Sequence, residues 1–175
     1  MGEGSRRSSF HSTLNSLIGM LDHEILTGGS PALREARRHG EEYLFQRGLM
    51  RSLGTGKVHA PWATYFAYPY RWFYSVLRAA DYFREASLHD DRRPDDRMAA
   101  AIELIHAARV ADGTWHQQLV HDGRTWFDVD SGPGEASQWP TFHALRVLAW
   151  WDVQPSALRA AGQEDVPIDR PIPQR

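Results

Sequence analysis

The sequence predicts an all-α domain: about five helices stacked as hairpins into a solenoid-like or toroidal arc, with two long aromatic-rich connections. Three observations carry that prediction. Apolar residues recur at spacings of three and four in five separate stretches. The first two stretches are joined only by Gly28-Gly29-Ser30-Pro31, the signature of an αα-hairpin. Finally, Leu17–Leu21, Leu77–Asp81 and Leu145–Ala149 read as a weak internal repeat, spaced by about one hairpin plus its linker.

The first helix is predicted from Ser9 to Leu26, with Phe10, Leu14, Leu17, Ile18, Leu21 and Ile25 on one face. Gly28-Gly29 ends it, and Ser30-Pro31 supplies an N-cap and a proline at the first helical position of the next. That second helix is expected to reach Arg51, with Leu33, Ala36, Tyr43 and Leu44 inward. Gly40 lies within it at a cost of about 1 kcal/mol relative to Ala, which a close approach of the neighbouring helix would explain. Leu53–Tyr70 is broken by Gly54, Gly56, Pro61 and Pro69 and carries five aromatics, so it reads as a long but packed connection.

A third helix is expected over Arg71–Ala86, burying Trp72, Val76, Leu77, Ala80 and Phe83. The polar run HDDRRPDDR separates it from a fourth over Pro94–Val110. The connection Ala111–Ala136 is expected to hold a hairpin of Trp115–Leu119 with Thr125–Val129. The fifth helix starts near Ser137–Pro140 and ends near Trp151, with Phe142, Leu145, Leu148 and Ala149 inward. The organisation is therefore a flexible segment 1–8, a helical domain 9–152 and a proline-rich, disordered tail 153–175.

Composition limits what the chain can do. It has 175 residues, 42% apolar and 24% charged, enough for one domain with a real core. The net charge of −2 gives no footprint for nucleic acid. Having no Cys, it forms no disulfide, thiolate nucleophile or sulfur-based zinc site. No apolar run approaches a membrane span, and the N-terminus has no secretory h-region, so a cytoplasmic location is expected. Seven Trp, seven Phe and six Tyr imply a core of large rings or an aromatic-lined cavity.

The stretch Pro69-Tyr70-Arg71-Trp72-Phe73-Tyr74-Ser75-Val76-Leu77-Arg78-Ala79-Ala80-Asp81-Tyr82-Phe83 resembles bacterial squalene-cyclase-like proteins of the prenyltransferase and terpenoid-cyclase α/α-toroid superfamily. The resemblance takes in Ser9–Thr13, Gly40–Leu44, Asp112–Trp115, Ser137–Thr141 and Ala144–Leu148, and so covers about residues 9–152. It implies an α/α-toroid-like arc of roughly half a ring, and an apolar, isoprenoid-like small molecule held in an aromatic concavity. Two departures stand out. Cyclases that protonate an alkene use Asp-x-Asp-Asp, whereas Asp128-Val129-Asp130-Ser131 lacks the last carboxylate. The relatives also carry Asp where Ser75 stands, and Arg-Trp-Asn where Gln138-Trp139-Pro140 stands.

Asp128 and Asp130 are the candidate catalytic carboxylates. They alternate on an extended stretch beside Trp126 and Phe127, where a desolvated carboxyl would have a raised pKa and act as a general acid; the alternative is a pair of solvated turn residues. His11, Arg71, Trp72, Tyr74, Trp139 and His143 are the candidate ligand contacts, since they gather near the starts of inner helices. His11 and His143 read equally as hydrogen-bonded rim residues or as proton-transfer groups. Trp72 and Trp139 are expected to be buried, each worth about 3–5 kcal/mol if truncated to Ala.

No metal or other cofactor is expected. In the run Asp90, Asp91, Asp95, Asp96, Pro94 puts a helix start amid the acids, which then complement that helix terminus. Gly54-Thr55-Gly56-Lys57 lacks phosphate-loop spacing and reads as a turn. Three functions fit: an enzyme acting on an isoprenoid-like substrate, a non-catalytic binding or scaffold module, or a toroid-type enzyme acting on another substrate such as a sugar. Five helices make only an arc, so a homodimer or a complementary half is expected to cover its open faces.

Overall fold

The computed structural model describes residues 9–158, so the expectations for 1–8 and most of 153–175 lie outside the described residues. Five α-helices make up the domain: α1 (Phe10–Thr27), α2 (Pro31–Phe45), α3 (Val76–His89), α4 (Ala99–Ala107) and α5 (Gln138–Leu158). The strands β1 (Trp115–His116) and β2 (Ala136–Ser137) form one antiparallel pair, Trp115 opposite Ser137. Helix α3 lies between α1 and α5 and touches both; α2 packs on α1, and α4 packs on α3 and α5. The α1–α3–α5 row backed by α2 and α4 is the all-α arc the periodicity predicts.

The hairpin α1–α2 forms as its punctuation dictates. Ser9 caps α1 by accepting from the Ser12 N–H, and Ser30 caps α2 by accepting from the Leu33 N–H. Gly28 closes α1 with φ +80°, a conformation that favours glycine. Gly40 allows close contact with α1: a Cβ there would come within 2.8 Å of the Leu17 side chain. Along α3, Ala79, Ala80 and Ala86 are fully buried, and these small side chains let the neighbouring helices approach. Leu14, Leu17, Leu44, Leu77, Phe83, Ile105, Trp115 and Val147 fill the core, and the Trp115 Nε1–H donates to the Ile105 carbonyl (2.7 Å).

Several expectations are corrected. Helix α2 ends at Phe45, and Gly48 and Leu49 then adopt φ of +49° and +62°, so the chain turns six residues before Arg51. Its inward face is apolar only at its C-terminal end, where Leu44 is buried as expected, with Phe45 beside it and Tyr43 half-buried. One turn and two turns earlier the buried residues are Glu41 and Arg37, whereas Ala36 is exposed and Leu33 only half-buried. Helix α3 begins at Val76, not Arg71, because the Ser75 hydroxyl accepts from the Arg78 N–H and caps it there. Trp72 therefore lies in the preceding loop, 58% exposed. Thr125–Val129 is not a strand; β1 pairs instead with Ala136–Ser137, directly before α5.

Helix α5 extends to Leu158, and its buried residues among those described are Pro140, Ala144, Val147, Leu148 and Trp150. Phe142, Leu145 and Ala149, expected inward, are exposed, as is Ile25 of α1. The internal repeat does not correspond position for position. Leu17 lies well inside α1, Leu77 is the second residue of α3, and Leu145 faces water.

The two long connections are sewn together by a glutamine pair. The fully buried Gln117 amide accepts from the Tyr68 N–H (3.0 Å) and donates to the Tyr68 carbonyl (2.6 Å). Gln118 donates its N–H to the Phe66 carbonyl and accepts from the Phe66 N–H, each at 2.8 Å. This anchors the aromatic loop over the N-terminal ends of α3 and α5.

Candidate functional site

On the face where α1, α3 and α5 run side by side there is a hollow of about 200 Å³. Ile18 and Asp22 enter it from α1, Arg78, Asp81 and Glu85 from α3, His143 from α5 and Tyr70 from the aromatic loop. The spacing of Arg78, Asp81 and Glu85 puts all three on one face of α3.

Asp81 is the hub of this wall. It accepts from the His143 Nδ1 side (3.0 Å), from Arg84 Nε (3.1 Å) and from Arg146 through two N–H groups. Burial opposes its charge, but the hydrogen bonds from His143 and Arg146 outweigh it and hold the carboxyl at about 2. An Asp so ionised cannot donate a proton near neutrality; it fixes the His143 ring and the Arg146 fork.

Of the buried or half-buried polar groups that line the hollow, Tyr70 and Arg78 are left incomplete; the Trp139 Nε1–H beside it and the Ser131 hydroxyl of a second cavity are likewise without a partner. The Tyr70 hydroxyl is out of contact with water and has no hydrogen-bond partner. Burial and the nearby Asp81 charge push its pKa up, so it stays a donor. Arg78 donates to the Phe73 carbonyl (2.8 Å) and to Asn15 Oδ1 (2.9 Å), both neutral acceptors, and lies 5.6 Å from the Tyr70 ring centroid.

The residues expected to contact a ligand fall into two groups. Trp139 and His143 belong to the hollow's side: Trp139 stacks on Tyr68 at 4.7 Å, and the His143 ring lies 5.3 Å from Tyr70. His11, Trp72 and Tyr74 form a second group around the start of α1. His11 Nδ1 accepts from the Tyr74 N–H (2.8 Å), and burial, Arg78 and His59 push its pKa down, so it is a neutral structural acceptor. Tyr74 is buried with its hydroxyl given to the Leu49 carbonyl, so it faces the core. Trp72 stacks on Phe73 at the surface, and Arg71 is exposed with its guanidinium over Gly123.

Asp128 and Asp130 line a different cavity, of about 490 Å³, between the two long connections; it shares no lining residue with the hollow. Asp130 accepts from the Ser137 hydroxyl, and Asp128 is exposed. Neither lies in the aromatic environment a general acid would need: Trp126 and Phe127 are 81% and 73% exposed.

Asp90 acquires a role the acidic run did not reveal. Arg37, entirely buried, binds Glu24 with two N–H groups (both 3.0 Å), Glu41 at 2.6 Å and Asp90 at 2.8 Å. Arg92 adds bonds to Glu41 (3.0 Å) and Asp90 (2.6 Å), and the Tyr82 hydroxyl donates to Glu41 (2.8 Å). Glu24, His89 and Asp90 bring ligand-type atoms within 4.8 Å of one another, yet Arg37 already occupies the position a cation would take. The donor set does not fit a metal; it locks α1, α2 and the end of α3 together.

Among the described residues no helix is long and apolar enough to cross a membrane. Comparison of the chain with protein-family models, with curated proteins and with solved structures returns no match.

Proposed function

We propose that the protein is a small-molecule binding module that keeps toroid-type helices and takes its ligand in the hollow on the α1–α3–α5 face. The observation that carries this reading is the Tyr70 hydroxyl, buried without a partner at the wall of a cavity. A buried polar group left unmatched costs roughly 1–3 kcal/mol, a cost that a bound ligand removes. The binding reading is favoured over a protonating cyclase by the state of the carboxyls. Asp81 is held ionised, while Asp128 and Asp130 stand in another cavity. The charged wall likewise favours a polar ligand group over a purely isoprenoid chain.

A fragment titration followed by backbone amide resonances tests this. Fragments should perturb Ile18, Arg78, Glu85 and His143; perturbation confined to Ile102 and Ile105 on α4, or none, would overturn it. Incubation with a linear polyprenyl substrate should yield no cyclised product.

The same reading includes a cytoplasmic location and a second copy of the chain, or a complementary half, against the end of the arc. Support comes from α5, where Phe142 (50%), Leu145 (46%) and Val153 (72%) are exposed on its outer side. Light scattering should give a particle of about 40 kDa, as for two-fold pairing; a monodisperse particle at the 20.0 kDa of the chain would refute the pairing.

A further inference from the structure

We propose that the hollow binds a small zwitterion, its carboxylate seated between Arg78 and the Tyr70 hydroxyl and its ammonium turned to Asp22 and Glu85. The inference rests on the binding reading above and names the chemistry of the ligand.

Arg78 is the first observation. It is half-buried, its hydrogen bonds run only to a carbonyl and an amide oxygen, and among the described residues no carboxylate lies within 4.0 Å of it. Burial lowers its pKa, the mark of a cation short of compensation. Asp81 does not supply the missing charge, because its oxygens are taken by Arg146, Arg84 and His143. A charge taken from water without a counter-ion favours a bound anion over an empty cavity.

Tyr70 is the second and independent observation. Its O–H has no acceptor, its pKa is raised so the proton stays on, and its ring lies beside the Arg78 guanidinium. A carboxylate has two oxygens, and guanidinium plus phenol supply a donor to each.

The rim decides the rest of the molecule. Asp22 of α1 and Glu85 of α3 line the same hollow, are exposed, and make no ion pair among the described residues. They repel a dianion and attract a cationic end. The volume of about 200 Å³ limits the ligand to a few carbon atoms between the two charges.

The experiment titrates the full chain at constant ionic strength with three probes: propionate, propylammonium and γ-aminobutyrate. Amide shifts and calorimetry read the binding. The zwitterion should bind tightest, propionate next and propylammonium weakest. Tyr70→Phe should weaken both carboxylates by about tenfold, the worth of one charge-assisted hydrogen bond, while the melting temperature of the free protein rises, since the unmatched hydroxyl is gone. Asp22→Asn combined with Glu85→Gln should weaken γ-aminobutyrate while leaving propionate as it was or tighter. Three results would overturn the assignment: propylammonium binding as well as propionate, Tyr70→Phe titrating like the parent, or no saturable binding of either carboxylate. If neutral or apolar fragments still shift the hollow's amides, only the carboxylate assignment falls; if nothing does, the binding module falls with it.

Discussion

Replacing Arg37 by Met isolates the largest electrostatic commitment in the fold. The guanidinium is fully buried and makes five hydrogen bonds to three carboxylates: two to Glu24, one to Glu41 and two to Asp90. Met fills much of the same volume, so the change removes charge more than packing. Glu41 and Asp90 keep Arg92 at 3.0 and 2.6 Å, and Glu41 keeps the Tyr82 hydroxyl. Glu24 is different: it is 1% exposed, and after the change only His89 remains nearby, at 3.7 Å. Breaking a buried pair by removing one partner costs about 3–5 kcal/mol, because the other charge stays behind uncompensated. For a domain of this size the loss corresponds to a fall in melting temperature of roughly 10 °C. The pH dependence separates this mechanism from lost packing. In Arg37→Met the stranded carboxylates have raised pKa values, so their folded forms take up protons before the unfolded chain does. The deficit should therefore shrink as pH falls from 7 to 5, followed by urea melts at each pH. A deficit below 1 kcal/mol at pH 7, or one that is the same at pH 5, would refute the argument.

Two further outcomes test the burial assignments and the hub of the hollow. Trp115→Ala should cost about 3–5 kcal/mol, since the ring is fully buried and bonded to Ile105, while Trp72→Ala should cost less than about 1 kcal/mol because its ring is 58% exposed; thermal melts of both variants decide it, and equal losses would mean the faces are misassigned. Asp81 is held at about 2 against an ordinary 3.8, so its depressed pKa contributes about 2 kcal/mol that is present above pH 4 and lost as pH falls towards 2. Asp81→Asn should flatten acid denaturation in that window, and an unchanged acid midpoint would deny the ion pairs with Arg146 and His143.

The helices were legible because capping and periodicity are local. Ser9, Ser30 and the Gly28 terminus act within one turn of chain, and they stand where the residues predict. The start of α3 was also written locally, in Ser75, but the aromatic run ahead of it hid the cap. Trp72 and Phe73 carry on the apolar spacing into a loop in which Arg71 has φ +49°. Faces were less legible than elements. Apolar counting placed Leu148 inward correctly but turned α5 towards Phe142 and Leu145, whereas the buried face adds the small Ala144 and Val147 on a helix that packs against α3 and α4. An exposed large side chain is cheap, so size alone does not mark the inner face.

The site was obscured for a related reason. Hydrophobic patterning assigns charged residues to water, yet Arg37 and Glu41 are buried on α2 beside Leu44 and Phe45, and Arg78 and Asp81 form one wall of the hollow. Arg37 and Glu41 are four apart and Asp81 and Arg84 three apart, but exposed helix pairs show the same spacings. What distinguishes a buried pair is a third partner distant in sequence: Asp90 for Arg37, and Arg146 for Asp81. No local window holds that information. The contrast between the two clusters carries the functional reading. Around Arg37 every carboxylate has its guanidinium, and the result is a clamp. Around Arg78 the guanidinium has no carboxylate and the neighbouring phenol has no acceptor, and a cavity stands where both would be supplied. The same residue types therefore build structure around Arg37 and stay without charged partners at the proposed binding hollow, with partner completeness as the difference.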